Sequence, residues 1–583
     1  MNSLVLALIA FFGYIVAYKT YGSWLAKKIF KLSDKNPVPS KEFYDGVDYV
    51  PTKRHILLGH HFTTIAGTGP IVGPAIGVIW GWLPAFLWVV LGPIFAGAVH
   101  DFTSLVMSSR HGGQTIGELS RKLISNRVGV IFLILIQFLL WLVLAVFAMI
   151  MGLLFDMYPE SVLSIWMQIP IAIWIGYMVY KKGKKDTLYS IIGLILLYVF
   201  AIVGIFLPIR LPQLGPVSPI VLWIVILLIY SYFASVLPVT TLLQPRDYIN
   251  SHELLVLMGV LFAGILVARP AIVAPAFQVA KGAPSLWPTL FIIIACGAIS
   301  GFHSLASSGT TVKQLENEKD AQFVGYGGML LEGALSVLVI LAVTAGLGMY
   351  GKGTAGYFQY YSEWATTAGA GLAAQLKAIV EGAANLMKAI GIPELLGRTL
   401  MAVFIVSFAG TTLDSATRIQ RFALEELVRT KSGKPWGPFK NRYFSTFVVV
   451  ALAFGLAMSS PDGKGALKLW PVFGALNQLL AALALLIGTV YLAKKKINPL
   501  PTLLPAVFML TTTIVATIQN IVTYASQNNY LLVFIAGSTL VIAFWMVFES
   551  LLSIAKSVKL ETVYQEEFKK TGIPTTESES RVC

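Results

Sequence analysis

The sequence predicts an all-α polytopic membrane protein with about fifteen transmembrane helices. Of its 583 residues, 56% are hydrophobic and 12% charged, with a mean hydropathy of +0.75. Soluble domains carry about 25% charged residues, so lipid is the main solvent of this chain. Apolar runs long enough to cross a hydrocarbon core of about 30 Å also recur from end to end. The third observation is that the basic residues are segregated along the chain.

In order, the predicted spans are 3–18, 56–82, 83–108, 128–155, 161–180, 188–209, 217–238, 254–273, 286–310, 322–349, 396–412, 443–460, 470–493, 500–524 and 530–555. The first lacks preceding basic residues and a following small-residue cleavage site, and reads as a retained span rather than a signal peptide. Stretch 364–391 reads as an amphipathic extra. Assigning the loops alternately places 34 of the 43 Lys and Arg on one side, in 19–55, 109–127, 181–187, 244–253, 311–321, 413–442, 494–499 and the tail from Lys556. By the positive-inside rule that side is cytoplasmic, with the amino terminus outside and the carboxyl terminus inside.

The +15 charge is therefore topogenic, and a nucleic-acid partner is not expected. The two cysteines, Cys296 and Cys583, exclude a disulfide framework. The loops are too short to hold a catalytic domain. GLGMYGKGT (346–354) has the GxxxxGK spacing of a nucleotide loop, but Gly353 stands where Ser or Thr is required, and it falls on the outer side.

The most informative stretch is GHHFTTIAGTGPIVGPAIG (59–77), where Gly67-Thr68-Gly69-Pro70 falls at the middle of a predicted span. Pro70 cannot donate to the helix ladder, and Gly73-Pro74 repeats the disruption. Non-helical backbone at that depth is tolerated only where protein or water satisfies its polar groups. Transporters use such breaks to hold solutes. Thr64, Gly67, Thr68, Gly69, Pro70 and Gly73 are thus candidate substrate-binding residues; a packing kink is the plainer alternative. GFHSLASSGTT (301–311) resembles GHHFTTIAGTG (59–69) at a fixed offset, and Ser307, Ser308, Thr310 and Thr311 offer hydroxyls to Na⁺ or to a proton path. Small residues also permit close helix packing, the competing explanation.

Ionisable residues at membrane depth are functional candidates by default. His61, Asp101, His303, Glu332 and Asp414 are candidate ion-coupling residues. Asp414 and Arg418, four apart, are expected to pair on one helical face. Arg246 suits a substrate carboxylate or a gate ion pair; a local Arg246–Asp247 cluster is the alternative. His55, His60 and His61 form HxxxxHH, which raises a histidine-dependent membrane metalloenzyme, although the remaining histidines stand apart. No resident metal or cofactor is expected.

Six stretches, DGVDYVPT (45–52), GHHFTTIAGTGPIVGPA (59–75), HDFTSLVMSSRHGGQTIGE (100–118), LLQPRDYINS (242–251), GFHSLASSGTT (301–311) and AGTTLDSATRIQR (409–421), give the sequence a resemblance to the carbon starvation protein A family of prokaryotic inner-membrane transporters. The resemblance runs from residue 1 to about 555. It implies proton-coupled uptake of peptides or pyruvate during carbon starvation. It also implies a LeuT-like, APC-type core built on a 5+5 inverted repeat. The domain plan is then a leading helix and basic loop (1–55), a ten-helix core (56–412), a cytoplasmic loop with four further helices (413–560) and a polar cytoplasmic tail (561–583). In that plan 56–82, 217–238, 286–310 and 396–412 are core helices one, six, eight and ten. By analogy, Thr64, Ala66 and Gly67 approach Ser307, Ser308 and Thr311 at an ion site. The rival reading is a nutrient receptor that does not transport.

Overall fold

The computed structural model describes residues 1–365, 372–430 and 435–571, so most of the expected polar tail lies outside the described residues. Among the described residues there are helices and isolated bridges but no extended strand. Among the described residues, twelve helices are long and apolar enough to cross a membrane, thirteen if one bent pair is a single span.

The elements that build the site are, in chain order, α1 (Ser3–Ile29), the bent pair α2 (Arg54–Ile65) and α3 (Gly69–Trp80), α4 (Trp82–Ser109), α5 (Asn126–Met157) and α6 (Pro159–Lys181). There follow α7 (Asp186–Phe206), α8 (Pro219–Val236), α9 (Leu243–Ala268), the short α10 (Leu286–Ile293) and α11 (Gly301–Gly309), then α12 (Gln322–Gly348), α13 (Leu372–Lys388) and α14 (Glu394–Leu427). Four helices complete the chain: α15 (Arg442–Ala457), α16 (Val472–Lys494), α17 (Leu500–Ser526) and α18 (Tyr530–Ala555). Each of the fifteen predicted segments has a helical counterpart. Three are not single spanning helices: 56–82 is bent by 50°, 286–310 is split into α10 and α11, and α15 is shorter than a full span.

Local chemistry sets several of the boundaries. Ser125 accepts the Val128 N–H at the start of α5, and Ser218 does the same for Val221 at the start of α8, where Pro219 fills the first turn. α5 packs along α14, and α12 is enclosed almost along its whole length.

Among the described residues, segments from several of the loops that charge alternation assigns to one side contact one another. Residues 45–52 form a strap across them. Val50 and Thr52 donate backbone bonds to the carbonyls of Lys313 (3.1 Å) and Gln314 (3.0 Å), and Val239 donates to Val47 (3.0 Å). Gln244 at the start of α9 reaches both Thr52 (2.8 Å) and Gln314 (2.6 Å). The strap's Asp48 receives the guanidinium of Arg418 and lies 3.3 Å from that of Arg421, both on α14; Arg418 also donates to the Leu237 carbonyl. Burial opposes ionisation of Asp48, but Arg418, Arg421 and Lys313 outweigh it and hold the carboxyl well below the usual carboxylate range. The Lys313 ammonium lies 3.2 Å from the centre of the Phe422 ring.

Candidate functional site at two interrupted helices

The helix that begins at Arg54 stops at Ile65 and resumes at Gly69, with Pro70 in the first turn of the new segment and Pro74 inside it. The second interruption, residues 294–300 between α10 and α11, packs against the first. A Cβ on Gly69 would lie 2.3 Å from the Cβ of Cys296, so the chains approach there as only glycine permits. Gly297, at φ +91°, faces Pro70 and Ser336, and a Cβ there would sit 2.2 Å from the Ser336 hydroxyl. Gly73 faces the Ile293 carbonyl, and Gly67 faces Thr412 and Phe147.

α12 grips both breaks. Its Glu332 accepts the Gly297 N–H (3.0 Å), and Ser336, one turn later, donates to the Pro70 carbonyl (3.1 Å). Glu332 also begins a buried chain. Its second carboxylate oxygen lies 3.4 Å from Nε2 of His303, an ion-pair distance at which neither atom makes a hydrogen bond; Nδ1 of His303 lies 3.2 Å from Asp101; and Asp101 lies 2.8 Å from Nδ1 of His100. All four side chains are withdrawn from solvent. Two carboxylates flanking one imidazole can share and pass a proton without leaving an isolated charge in a poorly solvated region. Asn477 of α16 supports the second break by accepting the Phe302 N–H (3.0 Å) and donating to Ser300 (3.0 Å).

A second buried cluster lies closer to the strap. Arg246 of α9 is ion-paired with Asp414 of α14, and Tyr230 of α8 donates to the same carboxylate oxygen (2.8 Å). Arg246 also lies 3.5 Å from Asp247, whose other oxygen is 2.6 Å from His60 of α2. The Nε of Arg246 and the Oδ1 of Asp414 are buried without a hydrogen-bond partner. A small cavity opens here, lined by Trp166, Gln168, Tyr230, Arg246, Ser407 and Gly410. Gln168 donates to Asn250, one turn beyond Arg246 on α9.

Several predicted groupings divide differently. Asp101, His303 and Glu332 converge, and His61 joins Thr311 (2.9 Å) nearby. The Thr64 hydroxyl is 3.1 Å from Ser415, and the Thr63 and Thr64 carbonyls accept Thr411 and Thr412, because α14 brings its own hydroxyls against the end of α2. Ser308 accepts the Ile116 N–H (3.0 Å), Thr310 donates to Ala306 (3.3 Å), and the Ser307 hydroxyl is buried without a partner. Thr68 caps the start of α3, its carbonyl accepting Val72 (2.9 Å). Asp414 and Arg418 do not pair, since each finds a stronger tertiary partner, Arg246 and Asp48. The stretches 59–69 and 301–311 are alike in that each helix stops near the matched glycine, at Ile65 before Gly67 and at Gly309; they differ in that His303 also follows the interruption at 294–300. His55, His60 and His61 point to Asp186, Asp247 and Thr311 and do not converge.

The model of the family described as carbon starvation protein CstA matches residues 2–516. A peptide transporter CstA of Campylobacter jejuni is 33% identical over 573 residues, covering 88% of this chain and 80% of the relative. The pyruvate/proton symporter BtsT of Escherichia coli is 33% identical over 580 residues, covering 85% and 78%. Among solved structures, the Eremococcus coleocola manganese transporter in complex with an aromatic bis-isothiourea substituted compound aligns over 88% of this chain and 99% of its own, with a TM-score of 0.50 and 12% identity. That likeness concerns the fold alone.

Proposed function

The chain belongs to the carbon starvation protein CstA family and is a multi-pass membrane transporter rather than an enzyme, and from that premise we propose that it imports small carboxylate-bearing nutrients, peptides or pyruvate, together with protons. The observation that carries this reading is the buried chain Asp101–His303–Glu332, fastened to the backbone of one interrupted helix and one turn from the fastening of the other. Proton transfer along it changes the charge on Glu332 and His303, and with it the grip of α12 on Gly297. A proton gradient is thereby linked to the arrangement of the two breaks. Thr64, Gly67, Thr68, Gly69, Pro70 and Gly73 form the central passage, and Arg246 receives the substrate carboxylate. His61, Ser307, Ser308, Thr310 and Thr311 extend the proton path along α11, and Asp414 takes part in coupling at Arg246.

The transport core spans 56–412 as two inverted sets of five helices, with a leading helix and basic loop at 1–55 and four helices following within 413–560. The strap end faces the cytoplasm of a prokaryotic cell, which leaves the amino terminus outside the inner membrane and residues 561–583 inside. Purified protein in liposomes is expected to accumulate labelled pyruvate or a dipeptide under an imposed proton gradient and not under a sodium gradient. Uptake that is equally fast after the proton gradient is collapsed refutes coupling, and tight binding without accumulation favours a receptor.

A further inference from the structure

Resting on that reading, we propose that the cavity at Arg246 is a carboxylate site whose internal occupant is Asp414, so that the substrate anion and a proton enter as a neutral pair. The argument begins with what Arg246 already holds. One of its terminal nitrogens is taken by Asp414 and Tyr230, and another faces Asp247. Its Nε is buried without a partner, as is the second oxygen of Asp414, and a cavity of about 20 Å³, room for one water molecule, lies against Arg246 beside Tyr230, Gln168 and Ser407, so a substrate carboxylate needs the space that Asp414 vacates. A guanidinium offers five donors in a planar fork. Asp414 holds one terminal nitrogen and Asp247 faces the other, so only Nε is open and a further carboxylate gains a paired edge only where Asp414 lets go.

Charge decides how a second carboxylate can enter. The groups facing the site are Arg246 and Asp247 from α9, Asp414 from α14, Tyr230 from α8 and His60 from α2. Arg246 sets one fixed positive charge against the carboxylates of Asp247 and Asp414, and the His60 imidazole rests on Asp247. Adding a substrate anion alone leaves an uncompensated buried charge, which is costly in such surroundings. If a proton from solution forms an O–H bond on Asp414, the ion pair to Arg246 breaks. The substrate carboxylate then forms the new pair, and the net charge of the cluster is unchanged. Tyr230, already donating to Asp414, can turn its hydroxyl to the incoming carboxylate. Substrate binding is therefore linked to uptake of one proton at a place separate from the Glu332 chain.

The test is equilibrium binding of labelled pyruvate, and separately of dialanine, to purified full-length protein from pH 5.5 to 8. Wild type is expected to bind more tightly as pH falls, approaching about tenfold per pH unit, the limit for one linked proton. Asp414→Asn is expected to bind with a flattened profile, Tyr230→Phe to shift the profile, and Arg246→Gln to lose binding. Pyruvamide, which lacks the carboxylate, is expected not to compete. An Asp414→Asn profile as steep as wild type overturns the proposal, as does wild-type affinity in Arg246→Gln or competition by pyruvamide equal to that of pyruvate. Tyr230→Phe keeps the test decisive if the Asn variant does not purify as a monodisperse protein: an unmoved profile then counts against the exchange. Gradient-driven accumulation by wild type is read in parallel. Its failure refutes coupled transport, while the binding profiles still judge the exchange.

Discussion

Replacing Asp48 by Asn tests whether residues 45–52 are held shut electrostatically. Asp48 serves two guanidiniums, and the Arg418 and Arg421 side chains are only 1% and 5% exposed. Removing one partner of a buried pair costs about 3–5 kcal/mol. The loss here is smaller, because Arg421 retains Glu425 at 3.5 Å and Arg418 retains the Leu237 carbonyl. Roughly 2 kcal/mol remains, which corresponds to about a 30-fold shift in the opening equilibrium. Hydrogen exchange reads that shift directly, since the amides of Val50, Thr52 and Val239 are protected only while the strap is seated. Their exchange is expected to accelerate about 30-fold in Asp48→Asn, by the same arithmetic, while amides within α5 keep their rates. Unchanged protection at Val50 and Thr52 would show that the backbone ladder alone seats the strap.

Other outcomes follow from the same geometry. Burial, only partly offset by Asp48 and Glu426, brings the Lys313 ammonium down to about 8. Its protonated form therefore costs stability in full below that pH, and the cost fades as pH rises from about 8 towards the ordinary lysine value near 10.5. The melting temperature of wild type should accordingly climb relative to Lys313→Met across that window, and a constant gap refutes the assignment. Glu332→Gln and His303→Ala should abolish gradient-driven accumulation while sparing substrate exchange across the membrane; equal loss of both points to a structural role. Gly69→Ala should depress uptake and cost about 1–3 kcal/mol by crowding Cys296. Adding Cys296→Gly should restore uptake; without that rescue, the close approach is not what makes Gly69 necessary.

The two breaks show which features were legible in the sequence. Gly67-Thr68-Gly69-Pro70 announces an interruption, because proline and glycine act on the backbone locally. IACGAIS (294–300) has no proline and reads as part of an apolar span. Its one local signal is Gly297, at φ +91°, and the rest of its departure from helix is held by partners distant in the chain, Glu332 for the Gly297 amide and Asn477 for the Phe302 amide. The ionisable residues of the Glu332 chain stood out because charge is rare at depth, whereas the uncharged Ser336, Tyr230, Gln168 and Asn477 carried no such mark. The expected Asp414–Arg418 pair failed for a related reason. Helical spacing names the nearest partner, but the tertiary fold supplies Arg246 and Asp48 instead.

That last arrangement has a mechanical consequence. Asp414 and Arg418 sit four residues apart on α14, one holding Arg246 and the other holding the strap. A single helical turn rises only about 5.4 Å, too little for one residue to shift without disturbing the other. On the proposed reading of Arg246 as the carboxylate's partner, loading it and releasing the strap become two readings of one displacement.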